Sequence, residues 1–240
     1  MNFSQNQEYK NLLSGTAKDF YHRYINDVLN LKKEGKKKFL DCGCGTGNVI
    51  RNLVDKENNY GMDVSEFFIE ELKKDGYNVL NYEGTTFPYP DNFFDIAGSF
   101  TVLEHVENPE FFIMEQMRVL KTGGYLIIAC PNFLSVFNTV RSYSLFYKFK
   151  LLINQYVKKS TNFIKMNPII RDCGKFVSDD DAIVLTNPIQ LRNFLKSHKF
   201  QIIEFSSFMS KRGLIYSILS RIPFLRYVFP SCYFLCRKIK

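Results

Sequence analysis

Apolar and polar positions change their period along the chain. Over residues 8–34 apolar side chains recur at helical spacing, at Tyr9, Leu12, Leu13, Phe20, Tyr24, Ile25, Val28 and Leu29. Beyond that, short apolar runs alternate with amphipathic ones. The runs at 38–42, 59–63, 79–82, 94–99 and 125–130 read as strands, and the segments at 48–56, 65–75 and 109–120 read as helices. Ser65 stands at an N-cap position, and Pro109 opens the helix that Gly123-Gly124 is expected to end. Strands separated by helices predict a parallel sheet covered on both faces. After Pro131 the pattern loosens. Residues 133–183 are basic, aromatic and irregular, closing on a strand-like Ile183-Val184-Leu185. A clear helix then runs from Asn187-Pro188 to Ser197, with Asn187 as N-cap. Residues 200–205 and 232–239 read as the last strands. Between them, 214–229 is apolar with arginines set into it.

At 240 residues the chain is long enough for one domain with a substantial core and elaborations. Its charge is divided. Residues 1–132 carry 14 Lys+Arg against 19 Asp+Glu, a balance of −5, and residues 133–240 carry 18 against 5, a balance of +13. These sum to the net +8 and give the acidic and basic parts different tasks. The run Lys36-Lys37-Lys38 reads as a solvated lead-in to the first strand. The six cysteines lack a paired Cys-x-x-Cys spacing and read as reduced thiols. No signal-peptide pattern is evident at the polar N-terminus, and no apolar run approaches the roughly 18 residues that span a bilayer. A cytoplasmic protein is expected.

The chemistry starts at Phe39-Leu40-Asp41-Cys42-Gly43-Cys44-Gly45-Thr46-Gly47. An apolar strand ends in an acid, and three glycines alternate with small residues. Such a turn lets a ligand lie almost against the backbone. A helix expected at 48–56 would turn its free N–H groups towards an anionic group. Strand, glycine turn and helix together predict a nucleotide-like ligand at the carboxyl edge of a parallel sheet. Dinucleotide folds want Gly-x-Gly-x-x-Gly, but here Gly47 comes one residue early. The run instead resembles the first motif of the class I S-adenosylmethionine-dependent methyltransferases, D-x-G-x-G-x-G. Asp63 ends the next strand about twenty residues on, where a carboxylate can accept both ribose hydroxyls of an adenosyl group.

Further on, Tyr82-Glu83-Gly84, Phe87-Pro88-Tyr89-Pro90-Asp91-Asn92-Phe93-Phe94-Asp95, Leu103-Glu104-His105-Val106, Arg118-Val119-Leu120-Lys121-Thr122-Gly123-Gly124 and Pro131-Asn132 follow in order. The series is similar to that of methyltransferase type 11, a group that includes quinone-biosynthesis enzymes. The likeness is strong over 38–132 and weak over 186–205. It implies a Rossmann-like α/β fold with a seven-stranded, mostly parallel sheet, helices on both faces and a basic helical lid. The expected divisions are an N-terminal cap at 1–37, a cofactor core at 38–132, a lid at 133–185 and completion of the sheet at 186–240. The implied cofactor is S-adenosyl-L-methionine, leaving S-adenosyl-L-homocysteine. By the same likeness Asp41, Gly43, Cys44 and Gly45 hold its methionine end and Asp63, followed by Val64, its ribose. Glu83 and Gly84 meet the adenine, Glu83 where the family usually has aspartate. Phe100 falls where the fourth strand opens towards the methionine. Thr122 replaces the usual proline.

His105 is the candidate general base. The sulfonium is already a strong electrophile, so an enzyme need only align the acceptor and remove its proton. The competing role for His105 is to hold the loop after the fourth strand. In some quinone O-methyltransferases a glutamate three residues before the Glu-His pair helps hold a divalent metal. Here that residue is Thr101, so no metal is expected. The Asn-Pro-Pro-Tyr motif of amino-methylating DNA enzymes and the double-glutamate loop of arginine methyltransferases are missing.

The expected reaction is O-methylation of a small metabolite or a lipid- or sugar-linked acceptor. The alternatives are N-methylation of a small molecule, methylation of RNA or protein, and a non-catalytic cofactor-binding partner. Basic charge without an RNA-reading motif gives only weak, salt-sensitive binding, so nucleic acid is not an expected partner. The aromatics of 133–179, interleaved with Arg141, Lys148, Lys150, Lys158 and Lys159, fit two readings: an apolar pocket with cationic edges for an anionic or lipid-like acceptor, or a packed helical cap. The 214–229 stretch likewise reads as weak peripheral membrane contact or as a helix packed on the sheet. Asp179-Asp180-Asp181 reads as a solvated turn. Tyr21 and His22 are candidate caps over the pocket, and His198 reads as structural.

Overall fold

The computed structural model describes residues 18–84, 86–138, 143–169, 179–208 and 225–239, with residues 18–20 described by their backbone alone. The chain divides into two compact units, one of residues 1–100 and 115–127 and the other of residues 101–114 and 128–240.

The first unit holds helix α1 (Lys18–Lys32), strand β1 (Phe39–Cys42), strand β2 (Asn59–Asp63), helix α2 (Glu66–Lys74), strand β3 (Asn78–Asn81) and strand β4 (Phe94–Phe100). β1 lies between β2 and β4 and pairs parallel with both, Asp41 opposite Gly61 on one side and Gly98 on the other. A strand bounded on both sides favours apolar residues, and all four residues of β1 are buried, Phe39, Leu40 and Cys42 with Asp41 as the polar exception. Ser65 caps α2 as its position implied, its hydroxyl accepting from the Phe68 N–H at 3.4 Å. Phe68, Ile69 and Leu72 form the buried stripe of that helix.

Helix α3 (Pro109–Val119) and strand β5 (Leu120–Pro131) contribute to both units. The second unit continues with helix α4 (Leu145–Lys158), strands β6 (Ile164–Lys165) and β7 (Val184–Leu185), helix α5 (Pro188–Ser197) and strands β8 (Phe200–Phe208) and β9 (Ser231–Lys238). Seven strands form one mixed sheet in the order β3-β2-β1-β4-β5-β9-β8, and β8 and β9 pair antiparallel. β6 and β7 make a separate two-stranded antiparallel piece.

Three expectations are corrected. The helix expected at 48–56 is absent: only single 3₁₀ turns occur, at Ile50–Asn52 and Lys56–Asn58. The Asn52 side chain bonds back to the Asn48 carbonyl at 2.7 Å, and Asp55 is left-handed at φ +56°. Short polar side chains that bond the local backbone draw it away from a helix. Gly123-Gly124 does not end α3. The helix stops at Val119 and both glycines lie within β5. Residues 133–183 are not wholly irregular, because they contain α4, capped by Ser144 through the Tyr147 N–H at 3.2 Å. Its Leu151 and Leu152 pack against a buried cluster of Phe133, Leu134, Ala182 and Leu185.

Asn132 ends the series of motifs as a structural tie. It is fully buried, and its amide donates to the carbonyls of Tyr227 and Phe229 at 2.9 and 2.8 Å while its side-chain oxygen accepts from the Leu134 N–H at 3.1 Å. The beginning of α1 expected at 8–17, Arg141 and the 214–224 part of the apolar stretch lie outside the described residues. Replacing Asn132 by Ala leaves three buried backbone groups without their partners. The Asn132→Ala variant is expected to lose roughly 2–3 kcal/mol of stability in urea unfolding. An unchanged midpoint would show that water replaces these bonds.

Candidate functional site

The glycine turn follows β1 directly. Gly43, Gly45 and Gly47 have φ of +81°, +48° and +80°, conformations that side chains other than glycine adopt only with strain. The Gly43 and Cys44 N–H groups both donate to the Met62 carbonyl, at 2.8 and 3.0 Å, so the turn folds across the end of β2. That close approach needs Gly61, where a Cβ would stand 2.9 Å from the Cys44 sulfur. Around Gly45 a Cβ would meet nothing within 4 Å. The turn is therefore tight on its inner side and open above Gly45.

Asp63 fixes this turn to the next one. One carboxylate oxygen accepts from the Gly45 N–H at 2.8 Å and the other from the Ser65 N–H at 2.9 Å. Each oxygen keeps further lone-pair capacity for a ligand hydroxyl. Burial raises the Asp63 pKa, and the backbone donors work against that rise. Val64, beside it, is exposed.

Asp41 lies 2% exposed at the end of β1. Tyr24 of α1 donates to it at 3.4 Å. Burial raises the Asp41 pKa to about 7; the Tyr24 bond opposes this and the Asp63 charge adds to it. Tyr24 reaches Asp41 because Gly98 of β4 has no side chain: a Cβ there would lie 2.0 Å from the tyrosine oxygen. Tyr21 stacks on Phe100 with ring centroids 4.3 Å apart, and Phe100 is buried. The structure thus joins the expected Asp41 and Phe100 to Tyr21 and Tyr24. Tyr24 read only as a core position in the sequence, where nothing marks its pairing with a glycine 74 residues later. His22 is exposed. Glu83 and Gly84 are exposed beyond β3, Gly84 with φ +82° and open space where a Cβ would stand.

The motifs between β3 and β5 are held by Arg118. Its guanidinium donates to both oxygens of Glu115, to the carbonyls of Phe87 and Tyr89 and to the Asp91 carboxylate, at 2.6–3.0 Å. Glu115 also accepts from the Phe87 N–H at 2.7 Å. The bond from Arg118 chiefly lowers the Glu115 pKa. Asp95 accepts from the Lys38 N–H at 2.9 Å and from the Lys121 ammonium at 2.8 Å. Lys38 also lies over the Phe93 ring, 3.7 Å from its centroid, so it is no mere solvated lead-in. These residues shape the loop and do no chemistry.

In the second unit, Glu104 and His105 sit on a 3₁₀ turn, Leu103–His105. The His105 Nδ1 lies 3.4 Å from an Asp181 oxygen and its Nε2 3.8 Å from Glu104. Glu104 is fully buried, and neither carboxylate oxygen has a hydrogen-bond partner among the described residues. Burial, and then the Asp179 charge, pushes its pKa well above the ordinary range. Thr101 and Asp179 are left-handed, at φ +52° and +69°, and such strain persists where the surroundings enforce it. The 179–181 segment is not a simple solvated turn: Asp180 is 4% exposed, and Asp181 faces His105. Local composition could not show this, because the histidine is 76 residues away. Glu104, His105 and Asp179 bring ligand atoms within 4.8 Å of one another. Two carboxylates and an imidazole suit a hard or borderline divalent cation, a donor set that the Thr101 position alone did not reveal. His198 bonds Ser197 and the Phe194 carbonyl and stacks on Phe194, a structural role as expected. Five buried cysteines are free thiols, and Cys173 lies outside the described residues.

Residues 40–128 match the family model described as a methyltransferase domain. An uncharacterised protein of Methanocaldococcus jannaschii is 36% identical over 44% of this chain and 50% of its own. A ubiquinone/menaquinone biosynthesis C-methyltransferase of Hydrogenovibrio crunogenus is 26% identical over 60% of this chain and 54% of its own. The chain spans about half the length of the curated relatives it matches. A solved S-adenosylmethionine-dependent methyltransferase from Archaeoglobus fulgidus shares the fold with a TM-score of 0.59, covering 92% of this chain and 95% of that one at 17% identity. The matched segment runs from β1 into β5 and takes in the glycine turn, the Asp63 strand end and the loop that Arg118 holds, so over these residues the chain is similar to a methyltransferase domain.

Proposed function

We propose that the protein transfers a methyl group from S-adenosyl-L-methionine to an oxygen of a small or lipid- or sugar-linked acceptor. The observation that carries the cofactor side is the carboxylate of Asp63, pinned by Gly45 and Ser65 beside an open glycine turn. In this reading Asp63 takes the ribose hydroxyls. Asp41, held by Tyr24, faces the cationic methionine end, and Phe100 with Tyr21 walls that end off. Glu83 and Gly84 meet the adenine. With the cofactor bound, its sulfonium supplies the electrophile. With that group in place, an acceptor oxygen would take the methyl carbon as the carbon–sulfur bond breaks, and His105 would take the acceptor proton. Asp181 orients the imidazole.

A second reading is N-methylation of an amine. The acidic surroundings of His105, from Asp179 and Asp181, favour a cationic acceptor. Screening acceptors with labelled methyl donor separates the two, because the amine reading requires label on nitrogen.

Calorimetric titration with S-adenosyl-L-homocysteine is expected to give one-site binding, weakened about tenfold or more in Asp63→Ala by loss of charge-assisted bonds. Wild type that binds nothing would overturn the cofactor assignment.

Affinity is also expected to depend on pH. The free-protein pKa of Asp41 is raised to about 7, and a bound cation favours the ionised form and lowers that pKa. The attraction is therefore complete above about 7 and fades as pH falls below it. Between about pH 8 and pH 6 affinity should drop roughly tenfold, and Asp41→Asn should flatten the profile. A flat wild-type profile would remove Asp41 from the cationic end.

Methyl transfer to oxygen or nitrogen needs no Lewis acid, so turnover is expected to survive EDTA. Activity lost in EDTA and restored by magnesium or manganese would assign the Glu104–His105–Asp179 cluster to a metal.

A further inference from the structure

Helix α4 has its polarity reversed. The side chains it buries include Lys148 and Gln155, 4% and 2% exposed. The Lys148 ammonium is taken up by the carbonyls of Ser135 and Asn138 at 2.7 and 3.0 Å, and burial lowers its pKa. Leu151 and Leu152 pack inward, but six other apolar side chains point outward. Leu145, Phe146, Phe149, Ile153, Tyr156 and Val157 are 47–78% exposed. At 3.6 residues per turn these six positions fall within an arc of about 120°. They form one continuous stripe rather than scattered surface residues, and a contiguous exposed apolar face of this kind marks an interaction site.

The charges beside the stripe identify what it meets. Lys150 lies at one margin, Lys158 follows further round, and Lys159 ends the helix. The helix carries three lysines and no acid, within a half-chain of balance +13. A protein partner would have to match six apolar groups and supply acids of its own. A bilayer with anionic headgroups offers hydrocarbon to the stripe and negative charge to the lysines at once, with aromatic rings at the boundary between them. We infer that α4 seats this protein on the surface of an anionic membrane, its Phe146–Phe149–Tyr156 stripe lying in the interface. Among the described residues no helix is long and apolar enough to cross a bilayer, so the contact is a lateral one. The inference stands independently of cofactor binding, since none of these residues belongs to the cofactor site. It places the membrane contact on α4 rather than on the 214–229 stretch named from the sequence.

The test is flotation of the full chain with vesicles of mixed phosphatidylglycerol and phosphatidylcholine, beside phosphatidylcholine alone. Wild type is expected to float with the anionic vesicles at low salt and to be released by high salt. The double variant Phe146→Ser, Phe149→Ser is expected to partition at least about tenfold less. Both rings are exposed, so circular dichroism and S-adenosyl-L-homocysteine titration should match wild type, which separates loss of binding from loss of fold. Lys150→Gln with Lys158→Gln should reduce binding and flatten its salt dependence. The inference is overturned if wild type does not float, if it floats equally with neutral vesicles, or if the double serine variant binds as wild type does. It is also overturned if sedimentation shows a dimer that the serine pair dissolves while vesicle binding stays nil, which would assign the stripe to a second copy of this chain.

Discussion

A single carboxylate organises the first unit. Asp63 ends β2 and accepts from the Gly45 N–H on one side and the Ser65 N–H on the other. It adds the Gly45 bond to those that Gly43 and Cys44 make to the Met62 carbonyl, and so helps hold a turn of three left-handed glycines, since glycine loses the most conformational freedom on ordering. The bond from Ser65 sets the start of α2, because Ser65 also caps that helix. The group proposed to hold a ribose is thus the group that builds the place where the ribose would lie. That economy has an electrostatic cost. Asp41 and Asp63 both have pKa values raised by burial, and the Asp63 charge adds to the rise at Asp41. A cationic ligand would relieve both.

Arg118 orders much of the motif string between β3 and β5. The run from Phe87 to Asp95 reads as chemistry by its density of special residues, yet its ordering group is Arg118. One planar guanidinium gathers two carbonyls and two carboxylates, which a lysine point charge could not do. Asp95 similarly ties the start of β1 to β5 through Lys38 and Lys121. Asn132 does for the second unit what Arg118 does for the first. In each case a polar side chain, fully buried at Asn132 and partly buried at Arg118, satisfies backbone groups of the neighbouring loops.

The His105 cluster and α4 show opposite uses of burial. Glu104 is polar and buried without partners, a costly position that suits proton chemistry or a cation. The α4 stripe is apolar and exposed, a costly position that suits an interface. Both depart from the rule that cores are apolar and surfaces polar, and both lie in the second unit.

The sequence by itself determined the strand alternation, the caps at Ser65 and Asn187, the glycine turn and the acid at the end of β2. Each of these is local: period, capping chemistry and backbone freedom act over a few residues and leave a signature in order and spacing. It misread 48–56 as helix because apolar period there outweighed, on paper, the short side chains that bond back to the backbone. It could not find α4, most of whose apolar residues face outward while Lys148 and Gln155 face in beside Leu151 and Leu152, because such a helix has no plain apolar core stripe. Only the tertiary structure decided that Tyr24 lies over Gly98 against Asp41, that Asp179 and Asp181 come to His105, and which face of α4 is exposed. Those facts depend on contacts between residues 17 to 76 positions apart in the chain or on which side of a helix is covered. Neither leaves a trace in local composition, since burial is a property of the packed chain and not of the segment.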